Sequence, residues 1–378
     1  MTGKEPRDQK NARATQATGG MGGEGYYDDH SGPQRAGFRE QQARVKTAVR
    51  HLDLTVPELR ILDYGCGPGR TSITIIRAVL DELRHRNATC SVVAMHNDLA
   101  GNDWNGLFAS VAGPEGYLEG YRKEGGHIRT EASIGSFFEP VASHGSVDLG
   151  LSFGASHWLS SQVRAVSPGS VFFCDLPEPA RDEIAAVADR DWTTFLRHRA
   201  AELKPGGWLV VDGLGSVPDA DDPSGRRAAG RRLYRALGEV AEDLAGEGRI
   251  DRRRLEEFVF PVYFRLSEEA RGPLEREADL QDAFEIVEVA NELLPMPTEE
   301  ALVKTGDVTA YAESYTGFVR AFAESTLRKG LFDASATSAA DAAALSDEFF
   351  NRLQARFAAE PKHYAFEHQV VTLVLRRR

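Results

Sequence analysis

Short apolar runs alternate with helical apolar patterns along residues 60–212. Residues 60–63 predict a buried strand that leads into a glycine-rich turn, and a helix with one apolar face follows at 73–83. Further predicted strands lie at 90–95, 147–153 and 208–212, with predicted helices near 38–52, 103–111 and 192–202. Strands that alternate with helices favour a parallel sheet covered on both faces. The pattern therefore predicts an α/β fold of the Rossmann-like, doubly wound kind.

After Gly215 the pattern changes to helices with few strands between them. The helical patterns lie at 224–245, 267–281 and 308–330. Residues 284–290 have strand character among them, and a helix at 347–359 and a β-rich ending at 366–375 close the chain. A final strand of a doubly wound domain commonly returns to the sheet. We therefore expect a mainly helical cap inserted between the fifth strand and the last.

The charge of the chain argues against nucleic acid as a partner. Of 378 residues, 57 are acidic and 45 are basic, so the formal net charge is −12. A protein of that charge repels a phosphate backbone. Residues 1–20 contain almost nothing apolar beyond alanine, and we expect them to form a disordered tail.

Hydropathy and cysteine usage predict a cytoplasmic protein. No apolar stretch approaches the roughly 20 residues that a transmembrane helix needs, and the N-terminus lacks the apolar segment of a secretory signal. Cys66, Cys90 and Cys174 form no CxxC pair and no Cys/His set with zinc spacing. Neither a disulfide framework, a metal site nor a membrane anchor is predicted.

The glycine-rich turn carries the strongest chemical signal. The first strand ends at Asp63, and glycines follow at 65, 67 and 69. They let backbone N–H groups approach a nucleotide-like ligand without a Cβ in the way. The dinucleotide fingerprint Gly-x-Gly-x-x-Gly needs glycine where this chain has Arg70. The spacing favours S-adenosylmethionine over NAD, and a turn that serves only sheet-to-helix packing is the alternative.

A second acid fits a ribose. Asp98 follows the second predicted strand by three residues, at the edge of the sheet where ligands of open α/β folds bind. A carboxylate there can accept hydrogen bonds from both ribose hydroxyls. Taken alone, Asp98 is an ordinary loop acid, and its partnership with the glycine turn makes it a predicted cofactor contact.

Several segments have the order and residues of one plant enzyme family. They are NDLAGNDWN at 97–105, GSFF at 135–138, SHWLS at 156–160, FLRHR at 195–199 with PGG at 205–207, and RAFAE at 320–324. Together they resemble the salicylate, benzoate and jasmonate carboxyl methyltransferases, often called the SABATH family. The resemblance implies a Rossmann-like class I methyltransferase sheet with an inserted helical cap, S-adenosylmethionine as cofactor and a small carboxylic acid as substrate. It also leads us to expect a homodimer.

With this resemblance the chain divides into five predicted parts. They are a disordered tail (1–20), an N-terminal active-site segment (21–50), the cofactor-binding core (51–215), the helical cap (216–345) and a C-terminal helix and strand that return to the sheet (346–378).

The resemblance implies a cofactor contact for each of nine residues. Tyr27 and Ser31 would touch the cofactor, Asp63, Gly65 and Cys66 would line its methionine end, Asp98 and Leu99 its ribose and adenine, and Ser136 and Phe137 its adenine side.

The acceptor side is implied in the same way, with departures from the family pattern. Gln34 and Trp158 would hold the acceptor carboxylate, His157 would lie beside them, and Phe153, Leu233, Tyr234, Tyr263 and Phe366 would line the pocket. Tyr234 stands where salicylate-type members have tryptophan, Met21 where some members have lysine, and Gly154 where an aromatic residue is common. These departures leave the identity of the acid open.

The expected methyl transfer needs no general acid or general base from the protein. A carboxylic acid is ionised near pH 7, so it attacks the methyl group of a sulfonium without a general base. The protein mainly aligns the acceptor and excludes water, and donors such as Gln34 and Trp158 suit that role. Two alternatives remain at this point: N-methylation of a heterocycle, which the family also performs, and cofactor binding without catalysis.

Overall fold

The computed structural model describes residues 38–164 and 170–378. The strands are β1 (Glu58–Tyr64), β2 (Ser91–Asp98), β3 (Ile128–Ile134), β4 (Val147–Phe153), β5 (Leu203–Leu214), β6 (Ser216–Pro218), β7 (Arg226–Ala228), β8 (Phe284–Leu294) and β9 (His368–Arg377). The predicted contacts Tyr27, Ser31 and Gln34 lie outside the described residues.

The helices are α1 (Phe38–Arg50), α2 (Arg70–His85), α3 (Trp104–Ala112), α4 (Leu118–Lys123), α5 (Glu178–Glu202), α6 (Arg231–Gly246), α7 (Arg252–Glu257), α8 (Ser267–Arg276), α9 (Ala278–Ala283), α10 (Pro297–Thr305), α11 (Val308–Leu327) and α12 (Ala339–Ala359). A π-helical turn at Arg328–Phe332 and a short helical turn at Asp333–Ser335 continue α11 towards α12. None of the described helices combines the length and apolar character of a membrane span.

The central sheet has seven strands in the order β3-β2-β1-β4-β5-β9-β8. The first five of these are parallel, and β9 runs antiparallel to both of its neighbours. The chain leaves β1 for β2 on one side and reaches β4 on the other. In open α/β sheets this reversal opens a crevice at the carboxyl ends of the strands, where ligands bind.

Helices cover both faces of the sheet because successive side chains of a strand point to opposite faces. Ile61 of β1 packs in a cluster with Val45 of α1 and Ile76 of α2. The next residue, Leu62, packs in a second cluster with Phe195 of α5. The predicted α/β class and doubly wound sheet are confirmed, and the final strand does return to the sheet.

A third apolar cluster fills the space between α6, α11 and α12. It holds the aromatic side chains of the segment 216–345, the predicted cap, except Phe284, which packs in the second cluster. The same segment also contributes β8 to the edge of the core sheet, where it pairs with β9.

Several predicted elements differ from the observed ones. β3 was not predicted, because its side chains are partly exposed at the sheet edge and show no apolar run. The helix predicted at 192–202 begins at Glu178, because the apolar residues in the first half of α5 are mostly alanine, with Ile184 and Val187 as the larger ones. The helix predicted from 347 begins at 339, after Ser338 accepts a hydrogen bond from the Asp341 N–H as an N-cap.

Candidate active site

The glycine-rich turn begins where β1 ends. The N–H groups of Gly65 and Cys66 both donate to the carbonyl of Asn97 on β2, at 2.9 and 3.0 Å. Gly65 has a φ of +78°, and a Cβ there would lie 2.4 Å from the Cβ of Ala155. Only glycine fits a position with both a left-handed backbone and so close a neighbour. The turn is thereby held against β2, and α2 starts directly after it.

Asp98 joins the end of β2 to this turn. Its Oδ2 accepts a hydrogen bond from the Gly67 N–H at 2.7 Å, and its Oδ1 accepts one from the Leu99 N–H at 2.7 Å. Burial raises the pKa of Asp98, and the two backbone donors act in the opposite direction. The carboxyl group is therefore fixed in orientation at the carboxyl edge of the sheet.

Asp63 is buried on β1, one residue before the strand ends. Burial raises its pKa to about 7, the hydrogen bond to Ser72 opposes that rise, and nearby Asp98 adds to it. Ser72 also lies 2.9 Å from His96 Nδ1, whose Nε2 lies 2.8 Å from the Tyr117 hydroxyl. A chain of buried polar groups thus extends from Asp63 into the core.

The loop after β3 forms the opposite wall. The Gly135 N–H donates to the Asp98 carbonyl at 3.0 Å. The Asn97 amide donates to the Gly135 carbonyl, also at 3.0 Å. Phe137 and Phe138 follow with ring centroids 4.6 Å apart. Aromatic faces next to a carboxylate and a glycine turn suit a base and its ribose.

These parts surround one cleft of about 510 Å³. Its lining includes the predicted contacts Gly65, Asp98, Leu99, Ser136, Phe137 and Trp158. Cys66 in the turn and Asp63 on β1 are both buried, and neither is part of this lining. Ser325 and Lys329, which the sequence analysis missed, also line the cleft. No motif marks them, because the π-helical turn that carries Lys329 reaches the cleft only through packing of the cap.

Trp158 is fixed by backbone contacts on both sides. It forms a β-bridge with Val262, and the Leu159 N–H donates to the Pro261 carbonyl at 2.9 Å. Its side chain is 8% exposed. No described residue accepts a hydrogen bond from its indole N–H, and Trp158 lines the cleft, so this N–H is a candidate donor to a ligand.

His157 stacks on Trp158 with ring centroids 6.1 Å apart. Its Nδ1 accepts a hydrogen bond from the Leu214 N–H at 3.2 Å, which leaves the ring proton on Nε2. Burial lowers the pKa of His157 to about 3, and the positive charge of Arg265 adds to the effect. The imidazole is therefore a neutral donor at physiological pH.

A smaller cavity of about 30 Å³ adjoins His157. Phe153, Asp212, Gln41 and His368 line it as well. The Gln41 amide of α1 donates to Asp212 Oδ2 at 2.7 Å. The structure therefore places Phe153 and His157 along this cavity and Trp158 along the larger cleft.

The remaining predicted acceptor residues lie in the apolar cluster of the cap, which also contains Trp158. They are Leu233, Tyr234, Tyr263 and Phe366, each 5% exposed or less. Phe260 links them to Trp158, because its ring lies 6.2 Å from that of Trp158 and 5.2 Å from that of Tyr234. The Tyr263 hydroxyl donates to Glu269 Oε1 at 2.6 Å. These side chains form an apolar wall behind Trp158.

The cleft fits S-adenosylmethionine in shape and chemistry. A turn without Cβ atoms, a fixed carboxylate and two aromatic rings match a methionine chain, a ribose and an adenine. Among the residues that the structure describes, no group of His, Cys, Asp and Glu side chains is arranged to hold a metal ion.

Comparison with known proteins gives the same picture. A family model described as SAM dependent carboxyl methyltransferase matches residues 12–378. Caffeine synthase 1 of Camellia crassicolumna is 26% identical over 317 residues, which cover 77% of this chain and 81% of that protein. A 3,7-dimethylxanthine N-methyltransferase of Camellia sinensis var. assamica is 25% identical over 322 residues, with 81% and 83% covered.

Among solved structures, a loganic acid methyltransferase with SAH shares the fold. Its TM-score is 0.72 at 22% identity, and the match covers 95% of this chain and 98% of that chain. The family match spans nearly the whole chain, and the glycine turn, Asp98 and the aromatic loop lie within it. The chain therefore belongs to the SABATH family of SAM-dependent carboxyl methyltransferases, with S-adenosylmethionine as its cofactor.

Proposed function

We propose that the protein methylates a carboxylate oxygen of a small, partly hydrophobic acid. The observation that carries this proposal is the available indole N–H of Trp158, which lies along the same cleft as the glycine turn and Asp98. A neutral N–H donor can hold one carboxylate oxygen and leave the other free to attack. The aromatic wall behind Trp158 suits the hydrophobic part of such an acid.

The electrostatics of the acceptor side agree with an acceptor that is already ionised. His157 keeps a pKa of about 3, so it is neutral at pH 7 and is a poor base there. A carboxylate needs no base, because its own pKa near 4 leaves it ionised. Neutral donors orient the carboxylate by hydrogen bonds. A cation would bind the carboxylate more strongly and would thereby lower its nucleophilicity.

In this mechanism the residues of the chain bind, orient and desolvate. S-adenosylmethionine, when bound, supplies an electrophilic methyl group on a sulfonium. Asp98 would hold the ribose, and Ser136 and Phe137 the adenine. Asp63, which is buried behind the lining of the cleft, would attract the ammonium of the methionine end through its charge. Trp158 would hold the acceptor, together with Gln34. Proximity in a cleft closed to water provides most of the expected acceleration.

The second candidate is N-methylation of a heterocycle. Two of the relatives support it, since one is a caffeine synthase and the other a 3,7-dimethylxanthine N-methyltransferase. The acceptor departures at Tyr234 and Gly154 are compatible with either acceptor class.

A panel assay tests the proposal. The purified protein is incubated with S-adenosylmethionine and either small aromatic and terpenoid carboxylic acids or purine-like amines. We expect methyl transfer to at least one acid and not to the matched amide of that acid, which lacks the ionised oxygen. Transfer to amines alone would contradict the proposal.

A further inference from the structure

Arg199 and Glu202 form an ion pair inside the protein, beneath the cofactor cleft. Arg199 is fully buried and Glu202 is 1% exposed. Arg199 donates from Nε and Nη2 to the two carboxylate oxygens of Glu202, both at 2.9 Å. Both residues lie near the end of α5, on the face that packs against the sheet.

The arginine side of the pair holds the aromatic loop of the cleft. Arg199 Nη1 donates to the Phe137 carbonyl at 2.7 Å, and Nη2 donates to the Glu139 carbonyl at 3.1 Å. Phe137 lines the cleft, so the guanidinium fixes the backbone of a cleft residue from behind. A planar fork of donors is suited to holding several carbonyls at once.

Glu202 binds a further part of the same loop. Glu202 Oε1 accepts hydrogen bonds from the N–H groups of Val141 and Ala142, at 2.7 and 3.1 Å. Its Oε2 accepts one from the Tyr64 hydroxyl at 2.9 Å. The loop after β3 is therefore held at residues 137, 139, 141 and 142 by one ion pair.

The same pair reaches the glycine turn. The Arg199 guanidinium lies over the ring of Tyr64, 4.1 Å from its centroid. Tyr64 directly precedes Gly65, and an added Cβ at Gly65 would come within 3.3 Å of the Phe137 ring. The spacing between the two walls of the cleft thus depends on both partners of the pair.

A buried ion pair is weak evidence for stability, because the loss of hydration offsets most of the attraction between the charges. Here each charge also has backbone partners in the 135–142 loop, and Glu202 accepts a further hydrogen bond from the Tyr64 hydroxyl at the end of β1, so the pair fixes geometry. We propose that Arg199 and Glu202 are positioning residues that set the affinity for S-adenosylmethionine by holding the 63–69 turn and the 135–142 loop at the correct separation. The proposal rests on the family cofactor and is independent of the acceptor.

The conservative variant Arg199→Lys tests this. Lysine keeps the charge next to Glu202, but it has no fork that reaches both carbonyls. We expect the dissociation constant of S-adenosylhomocysteine, measured by calorimetry on cofactor-free protein, to rise about tenfold. The loss of one hydrogen bond that positions the binding site typically has an effect of this size. At saturating S-adenosylmethionine, kcat and the KM of the acceptor should remain within about twofold of the wild type, a split that separates cofactor positioning from chemistry.

Arg197→Lys is the matched control. Arg197 lies on the same helix, is half exposed and pairs with Glu277 and Asp279 at the surface. It should leave the affinity for S-adenosylhomocysteine unchanged. Hydrogen exchange gives a second readout: the amides of Val141 and Ala142 should exchange faster in Arg199→Lys and at the wild-type rate in Arg197→Lys.

Tyr64→Phe keeps the proposal testable if Arg199→Lys does not fold. It removes the hydroxyl bonded to Glu202 and retains the ring under Arg199, so a smaller rise in the dissociation constant is expected. A folded Arg199→Lys with wild-type affinity for S-adenosylhomocysteine would overturn the proposal, as would Tyr64→Phe with wild-type affinity and unchanged exchange. Because this binding requires no acceptor, the result is independent of which substrate is methylated.

Discussion

The carboxyl groups of Asp98 and Asp63, on the cofactor side of the site, differ in their hydrogen-bond partners. Both oxygens of Asp98 accept hydrogen bonds from backbone N–H groups, which favour its ionised form. Asp63 has the Ser72 hydroxyl as its partner, and burial raises its pKa to about 7. The charge of Asp63 therefore changes in the physiological range, and a cationic ligand that meets Asp63 favours the ionised form.

Cofactor affinity should accordingly depend on pH. The raised pKa of Asp63 means that the group is mostly neutral below pH 7 and mostly ionised above it. His96 nearby has a pKa of about 4 and stays neutral throughout this range. We expect affinity for S-adenosylhomocysteine, whose ammonium would lie near the buried Asp63 carboxyl group, to increase about tenfold from about pH 6 to about pH 8. Calorimetry on the wild type and on Asp63→Asn checks this, since the variant should lack the dependence; a flat wild-type profile would argue against the contact.

Trp158→Phe should impair the acceptor side alone. The variant keeps an aromatic ring and loses the N–H, and a hydrogen bond to a charged acceptor contributes about 1.5–3 kcal/mol. We expect kcat/KM for the acid to fall about 10- to 100-fold, with unchanged affinity for S-adenosylhomocysteine. Trp104→Phe on α3 is the control, because its N–H is buried without a partner. An equal loss of kcat/KM in Trp158→Phe and Trp104→Phe would contradict the role of the Trp158 N–H as a donor to the acceptor.

Gly65→Ala probes the backbone of the turn. An alanine at 65 meets both a φ of +78° and a Cβ of Ala155 only 2.4 Å away. Gly206 offers the comparison, with a φ of +81° and open space around its Cα. We expect Gly206→Ala to lose about 1–2 kcal/mol of unfolding free energy from the backbone conformation alone. Gly65→Ala should lose more and should also bind S-adenosylhomocysteine weakly; equal stability and intact binding would contradict the close approach.

At the scale of elements, α11 connects the cap to the cleft. Its N-terminus is capped by Asp307, whose Oδ1 accepts a hydrogen bond from the Ala310 N–H at 3.0 Å. Its C-terminal end leads through a π-helical turn to Lys329 at the cleft. A π-helical turn shifts the register of a helix locally, and such turns are frequent at functional sites.

The N-cap residue Asp307 of α11 should contribute to the stability of the protein. Asp307→Ala should lower the free energy of unfolding by about 1 kcal/mol, because it leaves an N–H of the first turn without a partner. Asp307→Asn should remain close to the wild type, since asparagine also caps helices. Urea unfolding followed by circular dichroism compares the three proteins. Equal losses in both variants would indicate that the charge matters and the hydrogen bond does not.

For the whole molecule, the sheet explains which parts of the site the sequence could predict. The glycine turn and Asp98 lie at the carboxyl ends of β1 and β2, and parallel neighbours bring such ends together, so their meeting was predictable. Ser325 and Lys329 reach the cleft through packing of the cap, which no local pattern encodes. No local pattern encodes the placement of His157 and Trp158 either, because these adjacent residues line different cavities.

Contacts between residues that are far apart in the sequence were equally unpredictable. The FLRHR segment was recognised as a family motif, but the position of Arg199 beneath the Phe137 carbonyl depends on how α5 crosses the sheet. β8 showed strand character, and its place beside β9 followed only from the three-dimensional fold. The fold class and the cofactor side thus came from motifs at strand ends, and the supporting contacts required the structure.

The position of the transferred methyl group tests the central claim most directly. The protein is incubated with S-adenosylmethionine labelled in its methyl group and with an accepted acid, and the product is then treated with alkali. We predict a methyl ester, from which alkali releases the label as methanol. A product that retains the label through this treatment carries the methyl group on nitrogen, on carbon or on an ether oxygen, and it would contradict the proposed carboxyl methylation.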